Sequence, residues 1–192
     1  MLSQSLILAS ASPRRRALLD RCGVTFTVVV SAIDESVADG EDPADYVLRL
    51  ARAKAEAVHR RHPQSFVLGS DTTVVVDGRI LGKPSGPVEA RDMLSRLSGR
   101  SHEVMSAVAL LSPDGSRAER LSVTEVEFAL LPEAWIDAYV ATGDGLDKAG
   151  AYGIQNEAGV WIRRLSGSYS GVVGLPLFET AELLREAGLI RF

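Results

Sequence analysis

A single cysteine, Cys22, leaves this 192-residue chain without an internal disulfide partner and points to a reducing compartment. No apolar run approaches the ~20 residues of a membrane span. The short apolar stretch near the N-terminus has no charged segment before it and is too short for a signal peptide. The expectation is a cytoplasmic protein with no membrane partner. Aromatic residues are only 6% and the formal net charge is −4. That combination argues against nucleic acid as a partner, which calls for basic surface and stacking aromatics. Familiar catalytic motifs are also missing. "GRILGKPS" (78–85) is one residue short of a phosphate-binding loop between its glycines and carries Pro84 where Ser or Thr is required. "GSYSG" (167–171) has Tyr169 in the place of a nucleophilic serine. His59 and His62 stand three apart without an evident third ligand, and there is no Cys/His zinc pattern.

The remaining 46% hydrophobic and 24% charged residues are ordinary for a globular protein. The length fits one domain, residues 1–192, with a real core. "LILASASPRRRALL" (6–19) reads as a short strand, an N-cap at Ser12 and a helix from Pro13 to Cys22. "TFTVVVS" (25–31) reads as a strand and 31–43 as an acidic loop. A long helix is predicted from Ala44 to His62, because Val47, Leu48, Leu50, Ala51, Ala55 and Val58 share one face. Residues 66–84 form a predicted hairpin turning at Asp77-Gly78. A helix follows at 87–97, then a second hairpin turning at Pro113-Asp114-Gly115, a helix at 132–141 and a glycine-rich loop at 143–155. Residues 159–174 look strand-like, and a final helix spans 176–187. Hairpins mixed with helices predict an α/β fold with mixed β-sheets.

Charge at element ends is the informative residue. Arg14, Arg15 and Arg16 crowd a helix N-terminus that already carries positive partial charge. They are either a solvated run or one side of an anion site. Asp71 interrupts an apolar strand, and a buried carboxylate needs a partner. It is either a structural cap or a general base or metal ligand. Lys54 sits at the edge of the long helix's apolar face and reads as a snorkelling lysine or a phosphate ligand. Lys83 follows the first hairpin. Asp34 and Glu35 occupy the acidic loop, which solubility alone would also explain. Cations from separate elements together with carboxylates suit a polyphosphate with a divalent ion, Mg²⁺ or Mn²⁺. Helix N–H groups add donors.

Six strings carry a resemblance along the whole chain: "LASASPRR" (8–15), "LARAKA" (50–55), "VLGSDTTVVVDGRILGKP" (67–84), "LSGRSHEVMSAVAL" (97–110), "DKAGAYGIQ" (147–155) and "GSYSGVVGLP" (167–176). The chain resembles the Maf nucleotide pyrophosphatases. The resemblance implies mixed β-sheets with flanking helices around a central cleft, similar to the inosine triphosphate pyrophosphatases, and a homodimer. It implies hydrolysis of a nucleoside triphosphate to the monophosphate and pyrophosphate with a divalent metal cation. By resemblance, Ser10, Arg14 and Arg15 hold phosphates, Lys54 and Lys83 line the reacting phosphates, Asp71 accepts the proton of the attacking water, and Glu35 with Asp71 binds metal. "DKAGAYGIQ" resembles the branch acting on dTTP and UTP, with CTP and modified pyrimidine nucleotides as further candidates. Arg14, Thr72 and Gln155 set base preference by the same resemblance. A glutamine amide, one donor and one acceptor, matches the N3–H and O4 edge of uracil. Gly82 departs from relatives that carry an acidic residue before the lysine. The competing readings are a septum-formation inhibitor acting by protein interaction, and a pyrophosphatase for another nucleotide such as 7-methyl-GTP.

Overall fold

The computed structural model describes residues 5–191; part of the N-terminal signal-peptide reading therefore lies outside the described residues. In chain order the elements are β1 (Leu6–Leu8), α1 (Pro13–Asp20), β2 (Phe26–Val28), α2 (Pro43–His59), β3 (Phe66–Val76), β4 (Arg79–Leu81), α3 (Pro87–Leu97), β5 (Ser101–Leu111), β6 (Arg117–Phe128), α4 (Glu133–Thr142), β7 (Ile162–Ser166), α5 (Tyr169–Val173) and α6 (Leu177–Glu186). Short 3₁₀ turns span Ala149–Ala151 and Glu157–Trp161. The strands form one mixed sheet in the order β2-β1-β3-β5-β6-β7, with β4 on β3. The β1 pairings to β2 and β3 are parallel and all the others antiparallel.

Several starts and turns follow from local chemistry. Ser12 caps α1 by accepting the Arg15 N–H, and Pro13 opens the helix. Asp42 caps α2 by accepting from Ala44 and Asp45. Asp77 and Gly78 both take positive φ, 51° and 69°, as a two-residue hairpin turn needs. The region 159–174 differs from its strand-like pattern. It splits into a 3₁₀ turn, β7 and the short helix α5. Gly167 ends the strand at φ 133°, and Ser168 then caps α5 by accepting the Gly171 N–H. The predicted strand at 25–31 shortens to β2, and the long helix ends at His59 instead of His62.

Two features of the sheet make a cleft. β5 follows β3 from Val67 to Val75 along one edge. On the other edge β1 covers residues 66–68 and β4 covers 74–76. Among the described residues, 69–73 have no strand on that side. The apolar clusters divide at the same place. Phe66 and Leu68 pack with Leu18, Leu19, Leu183 and Leu184, whereas Val74 and Val76 pack with Leu94, Leu97, Ile136 and Tyr139. The gap between the clusters is therefore the middle of β3, the stretch that contains Asp71 and Thr72. Helix α2 crosses there at very close range: a Cβ on Gly69 would lie 2.2 Å from the Ala51 carbonyl oxygen.

Candidate active site

The gap opens into a cleft of about 780 Å³, the size of a small-molecule site. Every residue that the resemblance assigns to the site, Ser10, Arg14, Arg15, Glu35, Lys54, Asp71, Thr72, Lys83 and Gln155, lines it. Arg16 and Asp34 do not, and His59 and His62 join no metal-holding group of three or more among the described residues.

At the centre lies a buried ion triad. The Lys54 Nζ donates to Asp71 Oδ1 at 2.6 Å and reaches Glu35 Oε1 at 2.8 Å. Lys54 and Asp71 are each only 6% exposed. The strand's alternation turns Asp71 and Gly69 to the same face, and the Gly69 contact lets α2 bring Lys54 down to it. Glu35 arrives on the acidic loop, held where the Tyr46 hydroxyl donates to its main-chain carbonyl at 3.0 Å. Burial pushes the Glu35 carboxyl up. The hydrogen bond from Lys54, with the charges of Lys54, Lys83 and Arg15, outweighs that and leaves it below the usual range. Burial pushes the Tyr46 hydroxyl up to about 12. Among the described residues, Asp71 Oδ2 and Glu35 Oε2 have no hydrogen-bond partner. Two free carboxylate oxygens are suitable donors for a hard divalent cation that takes its other ligands from phosphate and water.

The three arginines of α1 divide by role. Arg15 is half-buried; its Nε donates to the Gly174 carbonyl at 2.8 Å and its guanidinium reaches Thr72 Oγ1 at 3.4 Å. Burial lowers its pKa, with Asp71 and Glu35 acting in the opposite direction. Arg14 crosses the mouth of the cleft to Asp147 Oδ2 at 2.9 Å. Arg16 is exposed. Ser10 is buried and accepts the Ser12 N–H at 3.1 Å.

Thr72 lies on the opposite face of β3 from Asp71. Ser106 Oγ donates to the Gly171 carbonyl at 2.7 Å, so its one proton is used and it accepts from Thr72 Oγ1 at 2.8 Å. Lys83 and Gln155 are exposed and line the cleft. The loop before Gln155 is tied down at several points. The Tyr139 hydroxyl donates to Asp144 Oδ2 at 2.6 Å and accepts the Gly153 N–H at 3.2 Å. Lys148 bonds Asp144 and lies 2.7 Å from Asp147 Oδ1. The Gly150 N–H donates to the Gly82 carbonyl at 3.1 Å. A Cβ at Gly82 meets nothing within 4 Å, so a side chain could leave the backbone there.

Asp147, Lys148, Tyr46, Ser106 and the Gly174 carbonyl belong to the cleft or its support but were not singled out by sequence. Asp147 and Lys148 open the stretch "DKAGAYGIQ", and their charge is the signal that sequence offers. A strand serine and a main-chain carbonyl carry none.

Comparison with known proteins fits this geometry. The family model described as Maf-like protein matches residues 5–187. A protein of Methylobacillus flagellatus named dTTP/UTP pyrophosphatase is 55% identical over 96% of this chain and 93% of its own. One of the same name from Colwellia psychrerythraea is 52% identical over 98% of this chain and 91% of its own. Among solved structures, a HAM1 protein from Coxiella burnetii aligns with a TM-score of 0.52 at 20% identity, over 95% of this chain and 99% of that one. That last likeness supports the α/β architecture alone. With one family model spanning nearly all of it and relatives above half identity over more than nine-tenths of both chains, the chain belongs to the Maf-like protein family.

Proposed function

We propose that the protein is a single-domain nucleoside triphosphate pyrophosphatase acting on dTTP and UTP. The observation that carries the reading is a buried carboxylate, Asp71, in a cleft whose charged lining has five cations and three carboxylates, in a chain of net charge −4. The names of its relatives agree. Such a cleft concentrates a polyphosphate locally without making the whole surface basic.

In the proposed reaction the Asp71 carboxylate takes a proton from a water, and the water oxygen attacks the α-phosphorus. The bond from that phosphorus to the α–β bridging oxygen breaks. Its electron pair leaves with pyrophosphate, and the other product is the monophosphate. Lys54 holds Asp71 in orientation, while Lys83, Arg14 and Arg15 offset charge on the phosphate chain. Mg²⁺ or Mn²⁺ would be held by Glu35 and Asp71 and would supply further charge neutralisation at the phosphates. The test is product analysis: dTTP and UTP should yield pyrophosphate, and a nucleoside diphosphate as main product would exclude attack at the α-phosphorus.

Arg14→Ala and Arg15→Ala should part in their effects. The Arg14 pair is exposed, so its loss should change stability by less than ~1 kcal/mol while raising KM. Arg15→Ala removes a partly buried bond to Gly174 and should cost about 1–2 kcal/mol as well as weakening binding. Thermal denaturation beside KM for the two variants checks this; equal stability losses would contradict it.

Base choice rests on Gln155 and Thr72. The Thr72 proton is directed at Ser106, and its oxygen accepts a long bond of 3.4 Å from Arg15, with one lone pair left to accept from a ligand. Gln155→Ala should narrow the preference for UTP over 7-methyl-GTP, because an unpaired polar edge is what rejects the wrong base. The ratio of kcat/KM for the two nucleotides, wild type against variant, measures it; an unchanged ratio means the amide does not read the base.

A further inference from the structure

We propose that Lys54 serves as the resident counter-ion of the two metal-binding carboxylates, so that the free protein has little affinity for a divalent cation and takes one up only with the nucleotide. The proposal rests on the pyrophosphatase reading. Its basis is the arrangement of charge. The Lys54 ammonium sits 2.6 Å from Asp71 and 2.8 Å from Glu35, the two carboxylates that would hold the ion. Lys54 and Asp71 are almost wholly buried, so solvent screens their attraction weakly. Among the described residues, no group of three or more His, Cys, Asp or Glu side chains could hold a metal.

The wider surroundings act in the same direction. Lys83 and Arg15 both exert their charge on Glu35. Asp147, the third carboxylate of the lining, is already bonded to Arg14 and Lys148. The charged groups facing the triad are therefore cations in excess. A bare divalent ion entering the empty cleft meets net positive charge and two carboxylates that already have a cation. A triphosphate entering first, or carrying the ion with it, reverses the sign of the local field and brings the missing oxygen ligands.

Binding should then be coupled and reciprocal. If a nucleotide raises the affinity for the ion by some factor, the ion raises the affinity for the nucleotide by the same factor, and a factor of about 10–100 is expected. Lys54 sets this coupling. Without its charge, Asp71 and Glu35 would form a bare acidic pair that attracts the ion in the absence of nucleotide.

The experiment is Mn²⁺ binding followed by electron paramagnetic resonance, with the full chain and a non-hydrolysable analogue, α,β-imido-dUTP. Wild-type protein should leave Mn²⁺ free in solution, and addition of the analogue should draw it onto the protein beyond what the analogue alone binds. Calorimetry should show the analogue binding without metal, and binding more tightly with it by the same factor. Lys54→Met should bind Mn²⁺ without nucleotide at least tenfold more tightly than wild type. Its melting temperature should rise with Mn²⁺, whereas that of wild type should not. Mn²⁺ binding equally well to wild type with and without the analogue would overturn the proposal, as would an analogue complex that takes up no Mn²⁺. Failure of the analogue to bind at all would overturn the pyrophosphatase reading itself and this inference with it. If Lys54→Met does not fold, the two wild-type titrations still decide the order of binding.

Discussion

Asp71→Asn is expected to lower kcat on dTTP and UTP by about 10²-fold or more, the usual effect of losing a general base, with a smaller change in KM. Asparagine has the same shape and keeps an oxygen that can accept from the Lys54 ammonium, 2.6 Å away in the wild type. It cannot take a proton from water at neutral pH. Lys54 retains Glu35 at 2.8 Å, so the buried ammonium is not left alone. Removing both partners would be far more damaging, since an unpaired buried charge costs several kcal/mol. The variant should therefore fold, and its circular dichroism spectrum and melting temperature should stay close to those of wild type. A variant with activity within a few-fold of wild type would remove Asp71 from the proton-transfer step. Loss of folding together with activity would instead make the Lys54–Asp71 pair structural.

The elements legible in sequence are those whose signals are local. The Asp77-Gly78 turn, the Ser12-Pro13 start and the helix Pro87–Leu97 depend on residues within a few positions of one another. The region 159–174 was misleading because its apolar residues suit a strand or a helix, and what separates β7 from α5 is a distant contact. Gly167 passes so close to Thr124 on β6 that a Cβ there would lie 2.7 Å from its Oγ1. The site shows the same division. Charged residues in an apolar strand or at a crowded helix end stand out, and Asp71, Lys54, Arg14 and Arg15 were visible for that reason. Their separate partners were not. Nothing in "SPRRR" distinguishes Arg15, tied to the Gly174 carbonyl, from Arg14, paired with Asp147 across 133 positions of sequence. Ser106 matters because it fixes the Thr72 hydroxyl across the β3–β5 ladder, a relation that exists only once the strands are in register.

Gly69→Ala should do more damage than its one methyl group suggests. The added Cβ would sit 2.2 Å from the Ala51 carbonyl oxygen and 2.8 Å from the Ala55 nitrogen, both main-chain atoms of α2. A side chain in the way could rotate, but a helix backbone can only move as a body. The helix would have to lift from β3, disturbing Leu50, Ala51, Ala55 and Val58, all of which are buried. Overpacking of this kind costs about 1–3 kcal/mol, a fall in melting temperature of roughly 2–12 °C for a chain of this size. The functional loss should be larger in proportion. Lys54 lies between Ala51 and Ala55 on the same helix, and Asp71 is two residues from Gly69 on the same face of the strand. Lifting α2 therefore lengthens the 2.6 Å Lys54–Asp71 contact directly. A kcat at least tenfold below wild type is expected from such a displacement, because positioning is a large part of phosphoryl-transfer catalysis. Gly82→Ala is the control. It is also a cleft glycine, but its added Cβ meets nothing within 4 Å, and its melting temperature should match wild type. If Gly69→Ala melts and turns over like Gly82→Ala, close contact between α2 and β3 is not what sets Lys54 against Asp71.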